Sequence, residues 1–192
     1  MDIIFATNNP HKQEEAQVIL GPSFHVLTPA SLGYPGDLPE TCDTLRGNSV
    51  QKACAVWNLF QTDCFADDTG LEVEALGGAP GVYSARYAGE HCSYQDNVAK
   101  MLAAMKGEKN RKAAFRTVIA LNLDGQSYFF EGRCDGQIIE EQRGTDGFGY
   151  DPIFLPDGFE ETFAEMGHKA KNAISHRGRA TRKLIAFLKE LN

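Results

Sequence analysis

Apolar residues recur along this chain with two different periods, which together predict an α/β protein. A period near 3.6 residues predicts four helices, each bounded by capping or helix-breaking residues. The predicted helices run from Asn9 and Pro10 to Gly21, from Asn48 to Phe60, from Ser93 to Gly107, and from about Gly178 to Leu191. The predicted apolar stripe of the second helix comprises Val50, Ala53, Cys54, Trp57 and Phe60. Helices and strands alternate along the chain without repeats or a low-complexity linker, as in a mixed α/β fold.

A period of two residues predicts the strands. Residues 2–7 form a short β-branched and aromatic run, typical of a buried strand near the N-terminus. Residues 115–123 place Phe115, Thr117, Ile119, Leu121 and Leu123 on one face. The dipeptide Asp124-Gly125 then predicts a tight hairpin into a second strand at residues 127–131.

Two adjacent carboxylates interrupt an apolar strand pattern in FADDTGLEVEALGGAPG, residues 65–81. Asp67 and Asp68 repel each other unless a cation, a proton or open water compensates them. Neighbours on a strand point to opposite faces, so both carboxylates can reach one ligand only if the strand ends between them, and we expect Thr69-Gly70 to supply that ending. Asp68 would then project into a site, and Asp67 would bond to turn amides. We interpret the glycines that follow as a structural corner.

A projecting carboxylate at Asp68 would be suited to hold Mg²⁺ or to orient a water molecule. Mg²⁺ takes oxygen ligands and commonly needs only one or two carboxylates plus substrate phosphates. Glu40, in a long loop rich in turn-forming residues, is a candidate second carboxylate.

The segment ATNNPHKQEE, residues 6–15, joins the end of a strand to the start of a helix. Its pattern Thr7-x-Asn9-x-x-Lys12 would aim free backbone N–H groups, a hydroxyl and an ammonium at one point, which suits a phosphate. The alternative is an ordinary helix cap followed by a solvated lysine. The P-loop pattern is absent from the sequence.

Two later segments also carry candidate chemistry. In RGTDGFGYDPIF, residues 143–154, Phe148 and Tyr150 lie between glycines, and such flat apolar faces suit stacking on a nucleobase. In KNAISHRGRA, residues 171–180, several cations lie at the start of the last helix. Cations oppose the helix dipole there, so an anion or an acceptor-rich ligand is expected to compensate them.

Composition and charge narrow the class of protein. The 192 residues are 42% hydrophobic, with a formal net charge of −7, which argues against a surface for duplex nucleic acid. The five cysteines are widely spaced and contain no C-x-x-C, so we expect reduced thiols and a cytoplasmic protein. Nothing in the sequence reads as a signal peptide or a membrane span.

Four segments, in this order along the chain, resemble the Ham1-like inosine triphosphate pyrophosphatase family: residues 6–15, 65–81, 143–154 and 171–180. The resemblance extends over nearly the whole chain. The resemblance implies a single domain over residues 1–192 with a long mixed central sheet flanked by helices, in two lobes with an active-site cleft. It also implies a Mg²⁺-dependent homodimer that hydrolyses noncanonical purine nucleoside triphosphates (dITP, ITP and XTP) to the monophosphate and pyrophosphate.

The resemblance further implies a role for each matching residue. Asp68 would be the catalytic residue, bound to the metal together with Glu40. The residues implied to bind substrate are Thr7, Asn8, Asn9, Pro10, His11, Lys12, Thr69, Phe148, Gly149, Tyr150, Asp151, Lys171, His176 and Arg177.

Two other classes of protein are compatible with the same residues. A phosphomonoesterase with an aspartyl nucleophile would favour Asp-x-Asp, so that both carboxylates share a strand face, and Asp67-Asp68 lacks that spacer. A nucleotide sensor without catalytic activity would keep every binding residue and hydrolyse nothing.

Overall fold

The computed structural model describes residues 2–191 as a mixed α/β fold, which confirms the predicted fold class. The strands are β1 Asp2–Phe5, β2 His25–Leu27, β3 Cys64–Val73, β4 Pro80–Gly81, β5 Lys112–Leu123, β6 Gln126–Ile138 and β7 Phe154–Pro156. The α-helices are α1 Pro10–Leu20, α2 Leu45–Phe60, α3 Tyr94–Ala104, α4 His168–Ile174 and α5 His176–Glu190. None of these helices is both long and apolar enough to cross a membrane.

The sheet is mixed, as predicted. Its strands are hydrogen-bonded in the order β2-β1-β3-β5-β6-β7, with β4 paired with β3. β1 lies parallel to β2 and β3, with Ile4 beside Cys64. β4 and β7 are antiparallel to their partners β3 and β6.

Local sequence signals predicted several elements correctly. Asn9 caps α1 by accepting hydrogen bonds from the backbone N–H groups of His11 and Lys12. Ser93 and Asp96 form the reciprocal capping box that begins α3. The hairpin turn at residues 124 and 125 has positive φ angles of 49° and 77°, as the favoured hairpin turns require.

Helix α2 differs from the prediction at its start and in its buried face. It begins at Leu45, capped by Thr44, rather than at Asn48. The predicted apolar stripe included Cys54, which is exposed, whereas Lys52 is buried. This helix therefore buries polar side chains.

The chain divides into two compact units. The first comprises the chain up to Asp68, Thr117–Gly132 and the residues from Arg177 onward. Successive residues of β1 point to opposite faces of the sheet, so Ile3 and Phe5 join one core and Ile4 joins another. The first core includes residues of α1 and α5, and the second includes residues of α2.

The second unit comprises Thr69–Arg116 and Arg133–His176. It has one apolar core, formed by α3 and the adjoining halves of β3, β5 and β6 with β7. Phe115, Phe154 and Phe163 pack their rings together there, with centroids 4.7–6.0 Å apart. The described residues thus form two apolar cores in the first unit and one in the second.

Replacing Gly136 with alanine is expected to destabilise the fold. An added Cβ would lie 2.4 Å from the backbone oxygen of Leu155 and 2.9 Å from Cα of Pro156, both on β7. Backbone cannot move aside cheaply, so we expect a loss of about 1–3 kcal/mol in the free energy of unfolding, measured by urea denaturation. The control is Gly167→Ala: beyond its chain neighbours, no described atom lies within 4 Å of that added Cβ. Equal losses in both variants would contradict this account.

Candidate active site

Strand β3 carries both adjacent carboxylates, and it does not end between them. The strand continues through Thr69 and Gly70 to Val73, so the predicted turn after Asp68 is wrong. The reason is pairing with β4, in which Leu71 lies beside Gly81. A Cβ at Gly70 would lie 2.5 Å from the oxygen of Gly81, so glycine allows this close pairing.

Asp67 lies at the centre of a buried group of charges. Lys12 Nζ donates to its Oδ1 at 2.8 Å, and Arg177 Nε donates to its Oδ2 at 3.0 Å. The guanidinium of Arg177 also pairs with Glu15, which lies on α1. The prediction that Asp67 bonds to turn amides is therefore wrong, because no turn follows it and its carboxylate binds two side-chain cations.

Because these side chains are buried, the ionised state of each depends on the charge of its partner. The side chains of Asp67 and Arg177 are only 1% and 2% exposed. Burial opposes ionisation of Asp67, but Lys12, Arg177 and Lys52 outweigh it and hold its pKa far below the ordinary range. Burial likewise lowers the pKa of Arg177, but Asp67 and Glu15 raise it above its usual value. Asp67 and Arg177 are therefore a charged pair at neutral pH.

Lys12 is not the solvated lysine of the alternative interpretation. Burial lowers its pKa, Asp67 counteracts this effect, and Lys52 and Arg177 lower it again. The cation thus sits among other cations as well as beside a carboxylate. An anionic ligand near Lys12 would relieve that repulsion.

Asp68 has partners of its own. Its Oδ2 accepts a hydrogen bond from Asn48 Nδ2 of α2 at 3.0 Å. Burial raises the pKa of Asp68, while Lys52, Lys12 and the hydrogen bond from Asn48 lower it, and Glu40 raises it further. A nearby cation would favour the ionised form of this carboxylate.

Glu40 and Lys52 lie close to both aspartates. Lys52 Nζ pairs with Glu40 and donates to the backbone oxygen of Asp67 at 2.7 Å. Burial opposes ionisation of Glu40, but the adjacent Lys52 ammonium lowers its pKa below the ordinary value. The sequence did not indicate Lys52 and Asn48 as site residues, because the buried face of their helix was predicted from its apolar residues alone.

The start of α1 is a true helix cap. The backbone N–H of Asn9 donates to Thr7 Oγ1 at 3.1 Å, and those of His11 and Lys12 donate to Asn9 Oδ1 at 3.0 and 3.4 Å. The prediction of free amides is therefore wrong for these three residues. Asn8 is exposed and donates to the backbone oxygen of Gly36 at 3.1 Å. Pro10 opens the helix, and both it and His11 are exposed.

In the second unit, Asp151 connects two of the predicted nucleoside-binding residues. Its Oδ2 accepts from the backbone N–H of Phe148 at 2.9 Å and from Lys171 Nζ at 2.7 Å. The Lys171 ammonium also lies 5.0 Å from the ring centroid of Phe148. Loop, lysine and aromatic ring are thus held together.

Other residues predicted in this unit have different surroundings. The hydroxyl of Tyr150 is buried and donates to the backbone oxygen of Ser84 at 2.8 Å. His176 is buried and stacks on Phe115, with ring centroids 4.6 Å apart. Gly149, with a positive φ of 64°, and Thr69 on β3 are half-buried.

The carboxylates could hold a metal only with help from another ligand. Among residues 2–191, no group of three or more His, Cys, Asp or Glu side chains could form a metal site. Asp68 and Glu40 are two hard oxygen donors, and the negative charge of Glu40 raises the pKa of Asp68. That donor set fits Mg²⁺, which retains waters or binds phosphates at its other positions.

Comparison with known proteins gives consistent matches. A model of the Ham1 family matches residues 3–187. The dITP/XTP pyrophosphatase of Porphyromonas gingivalis is 52% identical over 187 residues, covering 97% of this chain and 96% of that protein. The dITP/XTP pyrophosphatase of Flavobacterium johnsoniae is 50% identical over 188 residues, covering 98% of each chain. The structure of the Staphylococcus aureus Ham1 protein matches with a TM-score of 0.89 and 38% identity, covering 100% of both chains.

Proposed function

The chain belongs to the Ham1 family, and from that premise we propose that it is a Mg²⁺-dependent nucleoside triphosphate pyrophosphatase. It hydrolyses noncanonical purine nucleoside triphosphates, namely dITP, ITP and XTP, to the monophosphate and pyrophosphate. The consequence is removal of deaminated purines from the nucleotide pool. The observation that carries this proposal is the arrangement of Asp68 and Glu40 with two lysines: Lys52 pairs with Glu40, and Lys12 pairs with Asp67, the residue before Asp68.

The phosphates are assigned to the start of α1. Lys12 supplies an ammonium whose pKa is lowered by burial and by neighbouring cations, so a polyanion beside it stabilises its charged form. The N-terminus of α1 adds the positive end of a helix dipole. Five further residues are assigned to the phosphates beside Lys12: Thr7, Asn8, Asn9, Pro10 and His11. Where a backbone N–H already donates to an acceptor in the helix cap, the contact with phosphate is made by a side chain or by a shared hydrogen bond.

Asp68 is assigned as the acceptor of the proton from the attacking water. Ionised, it takes up that proton as the water oxygen bonds to phosphorus and the bond between the α and β phosphates breaks. Lys12 offsets the negative charge that develops on the phosphate oxygens. Bound to Asp68 and Glu40, Mg²⁺ would neutralise further phosphate charge.

The nucleoside is assigned mainly to residues of the second unit. Phe148 offers a ring for stacking, and Gly149, Tyr150 and Asp151 complete its loop. Lys171, His176 and Arg177 are assigned as hydrogen-bond donors to the nucleoside. Thr69, next to the catalytic carboxylate, contacts the substrate.

Base preference is expected to follow the substituent at the purine 6-position. Hypoxanthine and xanthine present an acceptor oxygen there, which the donors of His176 and Arg177 can pair, whereas the amino group of adenine leaves donors unpaired. We expect kcat/KM for ITP to exceed that for ATP by at least about tenfold, equivalent to ~1.4 kcal/mol. Steady-state release of pyrophosphate from each nucleotide measures this ratio. Similar values for the two nucleotides would contradict the assignment of the base-binding residues.

Product analysis tests the function as a whole. Incubation with Mg²⁺ and ITP should release pyrophosphate and IMP. Orthophosphate would favour a phosphomonoesterase, although Asp67 and Asp68 have separate partners, as expected of carboxylates on opposite strand faces. Absence of any product would favour a nucleotide sensor.

Two further properties belong to this proposal. We infer a homodimer, which light scattering coupled to size-exclusion chromatography would test, and a cytoplasmic location. All five cysteines of the chain are free thiols in the structure. That state is compatible with a reducing compartment.

A further inference from the structure

One face of α2 holds the loop segment that carries Glu40. Asn48 Oδ1 accepts from the backbone N–H of Cys42 at 2.9 Å. Gln51 exchanges two hydrogen bonds with Thr41, at 2.9 and 2.8 Å, and Lys52 pairs with Glu40. The spacing of three and four residues puts all three side chains on one side of the helix.

Asn48 also binds the carboxylate of Asp68. Its Nδ2 donates to Asp68 Oδ2 at 3.0 Å, while its Oδ1 accepts from Cys42. Only this orientation of the amide satisfies both neighbours, because a flipped amide would turn its oxygen towards the carboxylate oxygen. The residue is 1% exposed, so bulk water does not compete for these hydrogen bonds.

We propose that Asn48 is a positioning residue for the divalent metal ion. One amide fixes the direction of the Asp68 carboxylate and, through Cys42, the place of the segment that carries Glu40. Two carboxylates distant in sequence thereby present oxygens to the same ion. The inference rests on the proposed function, since it concerns the metal site of that reaction.

The expected effect is on metal affinity first. Partners that orient metal ligands typically contribute about 10–100-fold in affinity or activity. In Asn48→Ala, Asp68 and the Glu40 segment lose their common partner, and a metal ion must order them when it binds. Nucleotide affinity without metal should change little, because no assigned substrate contact is removed.

The test measures Mn²⁺ binding directly, from the loss of the free-ion electron paramagnetic resonance signal on adding protein. We expect the Kd for Mn²⁺ to rise about 10–100-fold in Asn48→Ala, with a lower kcat and little change in KM for ITP at saturating metal. Asn58→Ala is the matched control, because Asn58 lies on the exposed side of the same helix. We expect wild-type Mn²⁺ affinity and turnover in that variant.

The outcomes separate this inference from the proposed function. Failure of the wild-type protein to bind Mn²⁺ would overturn the proposed function and the inference with it. Wild-type binding together with an unchanged Kd in Asn48→Ala would overturn the inference alone.

If circular dichroism shows that Asn48→Ala does not fold, the wild-type protein supplies the test. Nuclear magnetic resonance should then show the side-chain amide of Asn48 shifting on addition of Mg²⁺, while that of Asn58 does not move. No shift at Asn48 in a protein that binds Mg²⁺ would overturn the inference.

Discussion

The variant Asp68→Asn is expected to release pyrophosphate from ITP at least about 10³-fold more slowly than the wild type. An amide of the same shape cannot accept the proton of the attacking water, and general-base catalysis of this kind contributes about 10²–10⁴-fold. It is also a weaker metal ligand than a carboxylate, so the loss should fall in the upper part of that range. Initial rates under saturating ITP and Mg²⁺ measure the loss.

Nucleotide affinity separates loss of catalysis from loss of the site. The residues of α1 that we propose to bind the phosphates are unchanged in Asp68→Asn, so the Kd for ITP, measured by calorimetry without metal, should stay close to the wild-type value. The matched control is Asp157→Asn, since Asp157 is an exposed carboxylate of the second unit. Near-normal turnover in Asp68→Asn would remove this residue from the mechanism.

The variant Asp67→Asn is expected to be strongly destabilised. Its carboxylate is the shared partner of Lys12 and Arg177, and removing one member of a buried ion pair typically costs about 3–5 kcal/mol. The free energy of unfolding from urea denaturation at neutral pH measures this cost.

An exposed ion pair of equal length provides the control. Arg133 and Asp135 are also 2.8 Å apart, but their side chains are 55% and 56% exposed. Exposed pairs contribute about 0–1 kcal/mol, so Asp135→Asn should lose no more than that. Losses of the same size in Asp67→Asn and Asp135→Asn would show that burial does not set the strength of the Asp67 pairs.

The effect of Asp67→Asn should also depend on pH. The pKa of Asp67 is lowered in the folded protein, so its contribution is fully present above the ordinary carboxyl pKa, about 3.9, and fades as the pH falls through the folded value. The stability difference between wild type and Asp67→Asn should therefore shrink on acidification below that ordinary value. A difference that grows in acid would contradict the assigned charge state.

Elements with local signals could be predicted from the sequence. The cap at Asn9, the capping box of Ser93 and Asp96, and the hairpin at Asp124-Gly125 depend on residues a few positions apart. Shorter elements carry too little periodicity, so strand His25–Leu27 and helix His168–Ile174 were missed. Gly70 misled the prediction, because its role in close pairing with β4 depends on a partner strand.

The candidate site also contains residues that the sequence predicted and residues that it did not. Asp68, Glu40 and Lys12 could be selected from motifs and a family resemblance, but their supporting partners could not. Apolar periodicity treats a lysine such as Lys52 as a surface residue, although it is buried beside Glu40.

The sequence indicated that the cations at the start of the last helix need compensating anions, because they oppose the helix dipole. The structure supplies protein carboxylates as the compensating anions for Arg177. Glu15 and Asp67 lie 162 and 110 positions away in the chain.

Those distances have a consequence for synthesis on the ribosome. The guanidinium that pairs with Asp67 and Glu15 belongs to Arg177, so both carboxylates are translated long before their cation. A nascent or truncated polypeptide that stops before residue 177 lacks the guanidinium that pairs with Asp67 and Glu15. The buried group of charges around Asp67 can therefore form only after residue 177 has been translated.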